Sequence, residues 1–258
     1  MTETRSPVDG LTPQRLEEIL LLCTVPREQI AYDGWLVRRA RDDVKRARSV
    51  NAVFGSTKPL AEKIDSCERL YADYALPPVF RLTPFSTPPT LDDALAQRGY
   101  VVLEPSLVQV TRLSGPLPPA PDGLRFQSML LERWVEDAGA MRGLSPERRA
   151  AEFDRLHNGE APGYCSIAYA GDQPVACGLV IQEEEFAGLF DIFVVPDQRR
   201  RGIGTAISAH LLRTAQRMGA RIGWLSVLAD NAPALAAYAH LSFKALYDYW
   251  YRVRPGDS

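Results

Sequence analysis

The segment VVPDQRRRGIGTA, residues 194–206, joins an apolar stretch to a helical pattern through three arginines and two glycines. This order predicts a strand, a turn and a helix whose first backbone amides have no acceptor within the helix. The helix dipole attracts an anion to those amides, and arginines add charge-assisted hydrogen bonds to phosphate oxygens. The segment therefore predicts a pyrophosphate-binding site, and a basic turn that only caps an ordinary helix is the alternative interpretation.

Composition excludes several other classes of protein. The 258 residues carry a formal net charge of −2, which argues against a general nucleic-acid binder. No run reaches the roughly 20 apolar residues of a membrane helix, so we expect no membrane partner. The polar start, MTETRSPVDG, lacks the apolar core of a signal peptide, and we expect a cytoplasmic protein.

The cysteines give no sign of a metal site. Cys23, Cys67, Cys165 and Cys177 form no C-x-x-C pair, and no histidine lies at a metal-ligand spacing from them. We therefore expect no bound metal and no disulfide in a reducing compartment.

A proline- and glycine-rich stretch, SGPLPPAPDG, divides the chain. Such a stretch holds neither a helix nor a central strand, so residues 114–123 are predicted to be a linker between domains at 1–113 and 124–258. The order strand, loop, long helix, strand, short helix, strand occurs in both halves, which indicates an internal duplication. The two copies differ in the loop, which is GSTKP in the first and PDQRRRGIG in the second.

Two motifs in the C-terminal half resemble one enzyme family. The junction matches R-x-x-G-x-G at Arg199, Gly202 and Gly204, whereas a Rossmann loop requires a third glycine where Ile207 stands. This signature is similar to that of the GNAT superfamily of acyl-CoA N-acyltransferases. A second segment, NAPALAAYAHLSF, resembles the later GNAT motif in register, at Asn231, Ala234, Ala237, Tyr238 and Phe243. The segment is predicted to be an alanine-rich helix with Asn231 as its N-cap. The resemblance covers residues 124–253.

The resemblance implies an α/β (α+β) fold with a mixed, mostly antiparallel central sheet flanked by helices. The C-terminal half would be the catalytic GNAT domain, and the smaller N-terminal half a degenerate GNAT-like unit that does not bind coenzyme A. This layout is similar to that of tandem GNAT proteins. Ser242 departs from the family pattern, because a glycine with a left-handed conformation is usual just after that helix.

The resemblance also implies acetyl-CoA as co-substrate. The exposed edge of the strand before the loop would pair with the pantetheine arm, and the amide of Val194 would donate to the thioester oxygen. The implied cofactor-binding residues are Ile192, Phe193, Val194, Arg199, Arg200, Arg201, Gly202, Ile203, Gly204, Thr205 and Asn231.

Tyr238 corresponds to the family's usual general acid, which protonates the leaving thiolate, and a tyrosine packed only for structure is the alternative. Relatives that acetylate protein N-termini carry a glutamate where this chain has Ser226. The candidates for the general base are then Glu183, the first of three consecutive glutamates, and Asp191. The glutamates alternatively form a solvated turn, and Asp191 alternatively bonds a neighbouring backbone group.

The predicted activity is transfer of an acetyl group to a primary amine of a small molecule or peptide by direct attack. A non-catalytic acyl-CoA sensor or scaffold is the alternative, favoured by the missing glutamate. Tyr247, Tyr249 and Trp250 are expected to line the substrate site, or else to pack in the sheet or form a homodimer interface. Lys45, Arg46 and Arg48 either contact an acidic substrate or form one polar strand face.

Overall fold

The computed structural model describes residues 6, 8–40, 44–159, 161 and 163–256. The helices of this part of the chain are α1 Pro13–Leu22, α2 Leu60–Ala72, α3 Leu91–Gln97, α4 Leu131–Met141, α5 Pro146–His157, α6 Ile203–Arg217 and α7 Ala232–Ala239. Its strands are β1 Glu28–Tyr32, β2 Trp35–Arg39, β3 Val50–Asn51, β4 Val79–Leu82, β5 Val101–Arg112, β6 Leu124–Met129, β7 Gly163–Ala170, β8 Gln173–Glu183, β9 Phe186–Val194, β10 Ile222–Leu228 and β11 Lys244–Val253. Within these residues, no helix is both long and apolar enough to cross a membrane.

The chain folds into two compact units that are discontinuous in sequence. The first unit comprises the described residues up to Cys23, together with Val108–Val227 and Asn231–Leu246. The second comprises Thr24–Leu107, Leu228–Asp230 and the described residues from Tyr247 onward. These units differ from the continuous halves expected from the proline-rich linker, because α1 joins the first unit and the end of β11 joins the second. The linker itself, residues 114–123, contains no helix or strand.

The first unit holds a mixed sheet with the strand order β10-β9-β8-β7-β6. The pairs β6–β7, β7–β8 and β8–β9 are antiparallel, whereas β9 and β10 are parallel. A parallel pair needs a crossover connection, and α6 provides it. The predicted mixed, mostly antiparallel sheet flanked by helices is therefore confirmed.

Helices α6 and α5 cover opposite faces of this sheet. A Cβ atom built on Gly178 would lie 2.5 Å from Ile192 Cδ1 and 3.1 Å from Leu211 Cδ1, so this face of β8 is covered by α6. The next residue, Leu179, lines a small cavity together with Leu156 of α5. Because side chains alternate along a strand, the two helices lie on different faces.

The second unit repeats part of this arrangement. Strands β1 to β4 follow one another in the sheet, and β3 and β4 are a parallel pair joined through α2. Its apolar core includes Trp35, Ile64, Phe80 and Tyr100. The first strand of the repeat predicted in this half is short, since only Val50–Asn51 is extended before α2, and β1 and β2 were not predicted.

The aromatic residues of β11 pack within the second unit. Tyr249 is buried, the Arg81 guanidinium lies 4.0 Å from the centre of its ring, and Arg46 donates a 3.4 Å hydrogen bond to its hydroxyl. Trp250 pairs with Leu82 of β4 and donates from Nε1 to Asp92. Of the interpretations of this segment, sheet packing is therefore the one the structure supports.

The basic segment before β3 is a short 3₁₀ turn and not a strand face. This turn spans Lys45–Ala47, and Lys45 makes a 2.8 Å ion pair with Glu104. At the end of α7, Ser242 has φ 61°, the left-handed conformation expected at the position where the family usually has glycine.

Gly188 tests the packing of the first unit. A Cβ atom at this position would lie 2.6 Å from Trp224 Cε2 and 2.8 Å from Phe190 Cε2, and Trp224 is 1% exposed. We expect Gly188→Ala to lower the free energy of unfolding by about 1–3 kcal/mol, because a close-packed core resists an added methyl group. Urea denaturation measures this change. Gly163→Ala is the matched strand control, since its Cβ would meet nothing closer than 4.0 Å. Equal losses in the two variants would contradict the packing argument.

Candidate active site

Strands β9 and β10 separate halfway along their length. Their pairing runs from Phe186 opposite Ile222 to Leu189 opposite Leu225. Strand β9 continues for five more residues, to Val194, and within the described residues these have no partner on β10. The separation leaves the β10-facing edge of β9 open over residues 190–194.

A β-bulge bends β9 at the separation. Phe190 lies opposite Leu179 of β8 and Phe193 lies opposite Cys177, so Asp191 and Ile192 together oppose the single residue Gly178. Asp191 has φ 51°, an uncommon left-handed conformation for a residue other than glycine. An extra residue of this kind re-aims its side chain. Here it directs Asp191 towards α5, while Ile192 remains on the α6 face.

The backbone of Val194 faces the open edge. The amide of Val195 donates a 3.0 Å hydrogen bond to Val175 of β8, and successive amides of a strand point to opposite sides. The amide of Val194 therefore points away from β8, into the separation. Its carbonyl oxygen accepts a 3.1 Å hydrogen bond from Nε of Arg199, which ties the end of the strand to the following turn.

The turn after β9 presents the start of α6. After a 3₁₀ turn at Pro196–Gln198, Arg200 has φ 61° and Gly202 has φ 74°, and α6 begins at Ile203. The amide of Ala206 bonds back to the carbonyl of Gly202 at 2.9 Å. The preceding amides, of residues 203–205, have no acceptor inside the helix, and no acidic residue lies in the first turn. This geometry is suited to an anion.

A cavity of about 760 Å³ joins the strand edge, the turn and α7. We call it the β9 cavity. It brings together most of the predicted cofactor-binding residues and the predicted acid, namely Ile192, Phe193, Val194, Arg199, Arg200, Gly202, Ile203, Gly204, Thr205, Asn231 and Tyr238. Arg201 does not line it, since its side chain turns back to donate a 3.1 Å hydrogen bond to Gln198.

Two polar residues of the β9 cavity were not predicted. Gln198 precedes the arginines in the same turn, and His240 lies two residues after Tyr238 at the end of α7. Gln198 directly precedes the R-x-x-G-x-G motif, and His240 occupies a position of the second motif at which the family pattern specifies no residue, so only their closeness to motif residues could have indicated them.

Asn231 has a structural role that the sequence indicated. Its side-chain oxygen accepts a 3.2 Å hydrogen bond from the amide of Ala234 and caps α7. The cap commits the oxygen to the helix, so the side-chain nitrogen is the group that remains to contact a ligand. The same cap fixes the start of the helix that carries Tyr238.

Tyr238 is largely buried in the wall of the β9 cavity. Its ring packs edge-on against Phe243, with the ring centres 5.8 Å apart, and its hydroxyl makes no hydrogen bond with the described residues. Burial raises the pKa of Tyr238 to about 12. The hydroxyl is therefore protonated at neutral pH and available as a donor.

Asp191 and Ser226 are close to the point of separation but do not line the β9 cavity. Asp191 Oδ2 and Ser226 Oγ are both buried and have no hydrogen-bond partner within the part of the chain that the structure describes. Asp191 Oδ2 lies 3.7 Å from Nη2 of Arg155 on α5. Ser226 directly follows Leu225, the last residue of β10 that pairs with β9. The alternative of a backbone partner for Asp191 finds no support among the described residues.

Glu183 is far from the separation. It pairs with Phe186 at the hairpin end of β8, six residues along β9 from Ile192, a distance of about 20 Å for an extended strand. Its neighbour Glu184 makes a 2.6 Å ion pair with Arg15 of α1. The structure therefore does not bring Glu183 to the β9 cavity, because the hairpin extends away from it.

Comparison with known proteins assigns this geometry to a family. Residues 128–243 match the acetyltransferase (GNAT) family. The chain is 26% identical over 233 residues to the uncharacterized N-acetyltransferase YobR of Bacillus subtilis, covering 88% of this chain and 92% of that protein. It is 44% identical over 57 residues to the ribosomal protein bS18-alanine N-acetyltransferase of Escherichia coli, covering 22% of this chain and only 38% of that protein.

Solved structures share the fold of both units. A GCN5-related N-acetyltransferase from Kribbella flavida has a TM-score of 0.72 at 17% identity and covers 96% of this chain and 97% of its own. A tandem GNAT protein from the clavulanic acid biosynthesis pathway has a TM-score of 0.58 at 16% identity and covers 76% of this chain and 70% of its own. Residues 128–243, in the C-terminal half of this chain, therefore match an acetyltransferase domain of the GNAT family, and the solved structures share its fold.

Proposed function

We propose that the chain transfers an acetyl group from acetyl-CoA to a primary amine by direct attack of the amine on the thioester. One observation carries the proposal: the open edge of β9, the start of α6 and the Tyr238 hydroxyl line the same cavity. These three elements match what a thioester of coenzyme A requires, which is a partner for its arm, a site for its pyrophosphate and a proton donor for its leaving thiolate.

The protein would bind acetyl-CoA mainly through its backbone. The amides of residues 203–205 would donate to the pyrophosphate, and the guanidinium groups of Arg199 and Arg200 would add charge. The β9 edge would pair with the amide groups of the pantetheine arm, as an added strand does. The amide of Val194 points into the same separation and would donate to the thioester oxygen as its negative charge grows.

Tyr238 would act as the general acid. A protonated phenol near the sulfur can donate to the thiolate as the carbon–sulfur bond breaks. The raised pKa of Tyr238, which burial increases to about 12, keeps the proton on the hydroxyl until the thiolate forms. The absence of a competing hydrogen bond to the described residues supports this role.

Asp191 would accept the proton of the attacking amine, directly or through a water molecule. Its Oδ2 atom and the Ser226 Oγ atom are buried acceptors close to where β9 and β10 separate, and neither has a hydrogen-bond partner among the described residues. Buried polar atoms of this kind require an explanation, and an amine provides donors for both. The acceptor would be a small-molecule or peptide amine that approaches from the α5 face.

Only the C-terminal half is expected to bind coenzyme A. In the N-terminal copy, α2 follows Pro59 with φ −56° and has no side-chain cap, and its loop lacks the arginine–glycine motif. We further infer that the protein works in the cytoplasm, where acetyl-CoA is available. A non-catalytic acyl-CoA sensor remains the second candidate, favoured by serine at position 226.

A thiol-release assay with acetyl-CoA and a panel of amines, combined with calorimetry, separates the two candidate functions. Release that depends on an added amine supports the transferase. Saturable CoA binding without such release supports the sensor, and no binding at all contradicts both.

Gly202 tests the pyrophosphate site. We expect Gly202→Asp to weaken CoA binding by about 100-fold or more, or about 2.8 kcal/mol, because a carboxylate would face the phosphates. Gly202→Asn is the matched control, since asparagine tolerates the left-handed conformation and carries no charge. Its dissociation constant, measured by calorimetry, should stay within about tenfold of that of the parent protein. Equal weakening by the two substitutions would contradict an anion at this turn.

Tyr238 tests the acid. We expect Tyr238→Phe to lower kcat by about 100-fold, because the donor to the thiolate is lost. The dissociation constant of CoA should change by no more than about twofold, since the ring and its contact with Phe243 remain. Steady-state kinetics and calorimetry measure the two quantities. A proportional loss of both would show that Tyr238 is structural.

Asp191 and Glu183 provide a matched test of the base. We expect Asp191→Asn to lower kcat by about 100-fold, because an amide accepts no proton at neutral pH. Glu183→Gln makes the same chemical change about 20 Å along the sheet and should leave kcat within about twofold. A larger loss of kcat in Glu183→Gln than in Asp191→Asn would favour Glu183 as the base and exclude Asp191.

A further inference from the structure

Asp191 is the last member of a network of four charged side chains. The network extends from Arg142, which follows α4, through Glu152 and Arg155 of α5 to Asp191 in the bulge of β9. None of these residues lines the β9 cavity. Three of them are therefore outside the machinery described so far, and of these Glu152 and Arg155 are buried.

Arg142 and Glu152 form the rigid end of the network. Arg142 donates from Nη1 and Nη2 to the two oxygens of Glu152 at 3.0 and 2.5 Å, a bidentate pair. Its Nε atom donates to the carbonyl oxygen of Ala138 at 3.1 Å, and its guanidinium lies 5.3 Å from the centre of the Trp134 ring. Because Trp134 is fully buried, this pair has little freedom to move.

Arg155 lies between two carboxylates. Its side chain is only 7% exposed, and its Nη2 atom lies 3.7 Å from Glu152 Oε1 and 3.7 Å from Asp191 Oδ2. A charge removed from water must be paired, so the position of Arg155 depends on both neighbours. The two arginines and two carboxylates sum to zero formal charge.

The contact between Arg155 and Asp191 is not a hydrogen bond, unlike the contact between Arg142 and Glu152. A separation of 3.7 Å exceeds the 2.7–3.2 Å range of an N–H···O hydrogen bond, and Asp191 Oδ2 has no hydrogen-bond partner among residues 44–159 and 163–256 or the other described residues. Arg155 therefore attracts the carboxylate without occupying its lone pairs. A proton acceptor needs this arrangement, because a bidentate contact like that of Glu152 would occupy the oxygens.

We propose that Arg155 is a positioning residue for acetyl transfer, which orients the Asp191 carboxylate while leaving its oxygen available to the amine. Arg142 acts one step earlier, by binding Glu152 and so fixing one neighbour of Arg155. This inference rests on the proposed function and adds to it a requirement for a cation behind the β9 bulge.

The test compares Arg155→Met, Arg155→Lys and Arg149→Met. Arg149 lies on the same helix and makes a 2.7 Å ion pair with Glu136, so its substitution also removes one ion pair from α5. We expect Arg155→Met to lower kcat by about tenfold or more, with the CoA dissociation constant unchanged within about twofold. Lysine keeps the charge, so Arg155→Lys should recover most of kcat, and Arg149→Met should resemble the parent protein.

A double-mutant cycle with Asp191→Asn separates positioning from general damage. If Arg155 acts through Asp191, adding Arg155→Met to Asp191→Asn should lower kcat by no more than a further twofold or so. Independent, multiplying losses would overturn the inference, as would a loss of CoA affinity in both Arg155 variants or equal kinetics for Arg155→Met and Arg149→Met. If Arg155→Met does not fold, the lysine variant and its own cycle with Asp191→Asn decide in the same way.

Failure of the proposed function gives a different result. A parent protein that binds CoA but releases no thiol in the presence of amines would refute the transferase, and this inference with it. An active parent protein whose kcat does not change in Arg155→Met would refute the inference alone.

Discussion

The separation of β9 from β10 is the constraint on which the site depends. A parallel pair joined by a helix is normally hydrogen-bonded along its length, but here the pairing ends at Leu189 and Leu225. The backbone groups beyond that point must find other partners, because an open strand edge is a template for pairing. The edge opens into the same cavity as the start of α6, which also has amides without intrahelical acceptors. The open edge of β9 and the first turn of α6 thus both present backbone amide donors to the β9 cavity.

The bulge at Asp191 gives the two faces of the sheet different roles. One extra residue opposite Gly178 directs a carboxylate towards α5 and keeps Ile192 on the face of α6. A Cβ atom at position 178 would lie 2.5 Å from Ile192 Cδ1, so a larger residue there would displace the Ile192 side chain. The bulge therefore separates the side of β9 that lines the β9 cavity from the side on which Arg155 lies.

The sequence predicted the parts of the site that depend on local chemistry. The arginine–glycine turn, the asparagine cap and the left-handed Ser242 each follow from a few adjacent residues, and the structure contains all three. It did not predict the bulge, because a one-residue shift in register leaves no periodic signal. The selection of Glu183 beside Asp191 reflects this limit, since only the register shows that the glutamate lies at the far end of the hairpin. The packing of Tyr249 likewise depends on distant residues, Arg46 and Arg81.

Serine at position 226 is consistent with the electrostatics of the proposed site. Residues 226 and 191 lie on neighbouring strands, one and two residues beyond the last paired residues, Leu225 and Leu189. A carboxylate on each strand would bring two negative charges together, and one of them would become protonated or need its own cation. Arg155 lies close to Asp191, but its other carboxylate neighbour is Glu152. A neutral hydroxyl at 226 avoids this repulsion. Serine at position 226 is therefore compatible with a carboxylate at position 191 on the bulge.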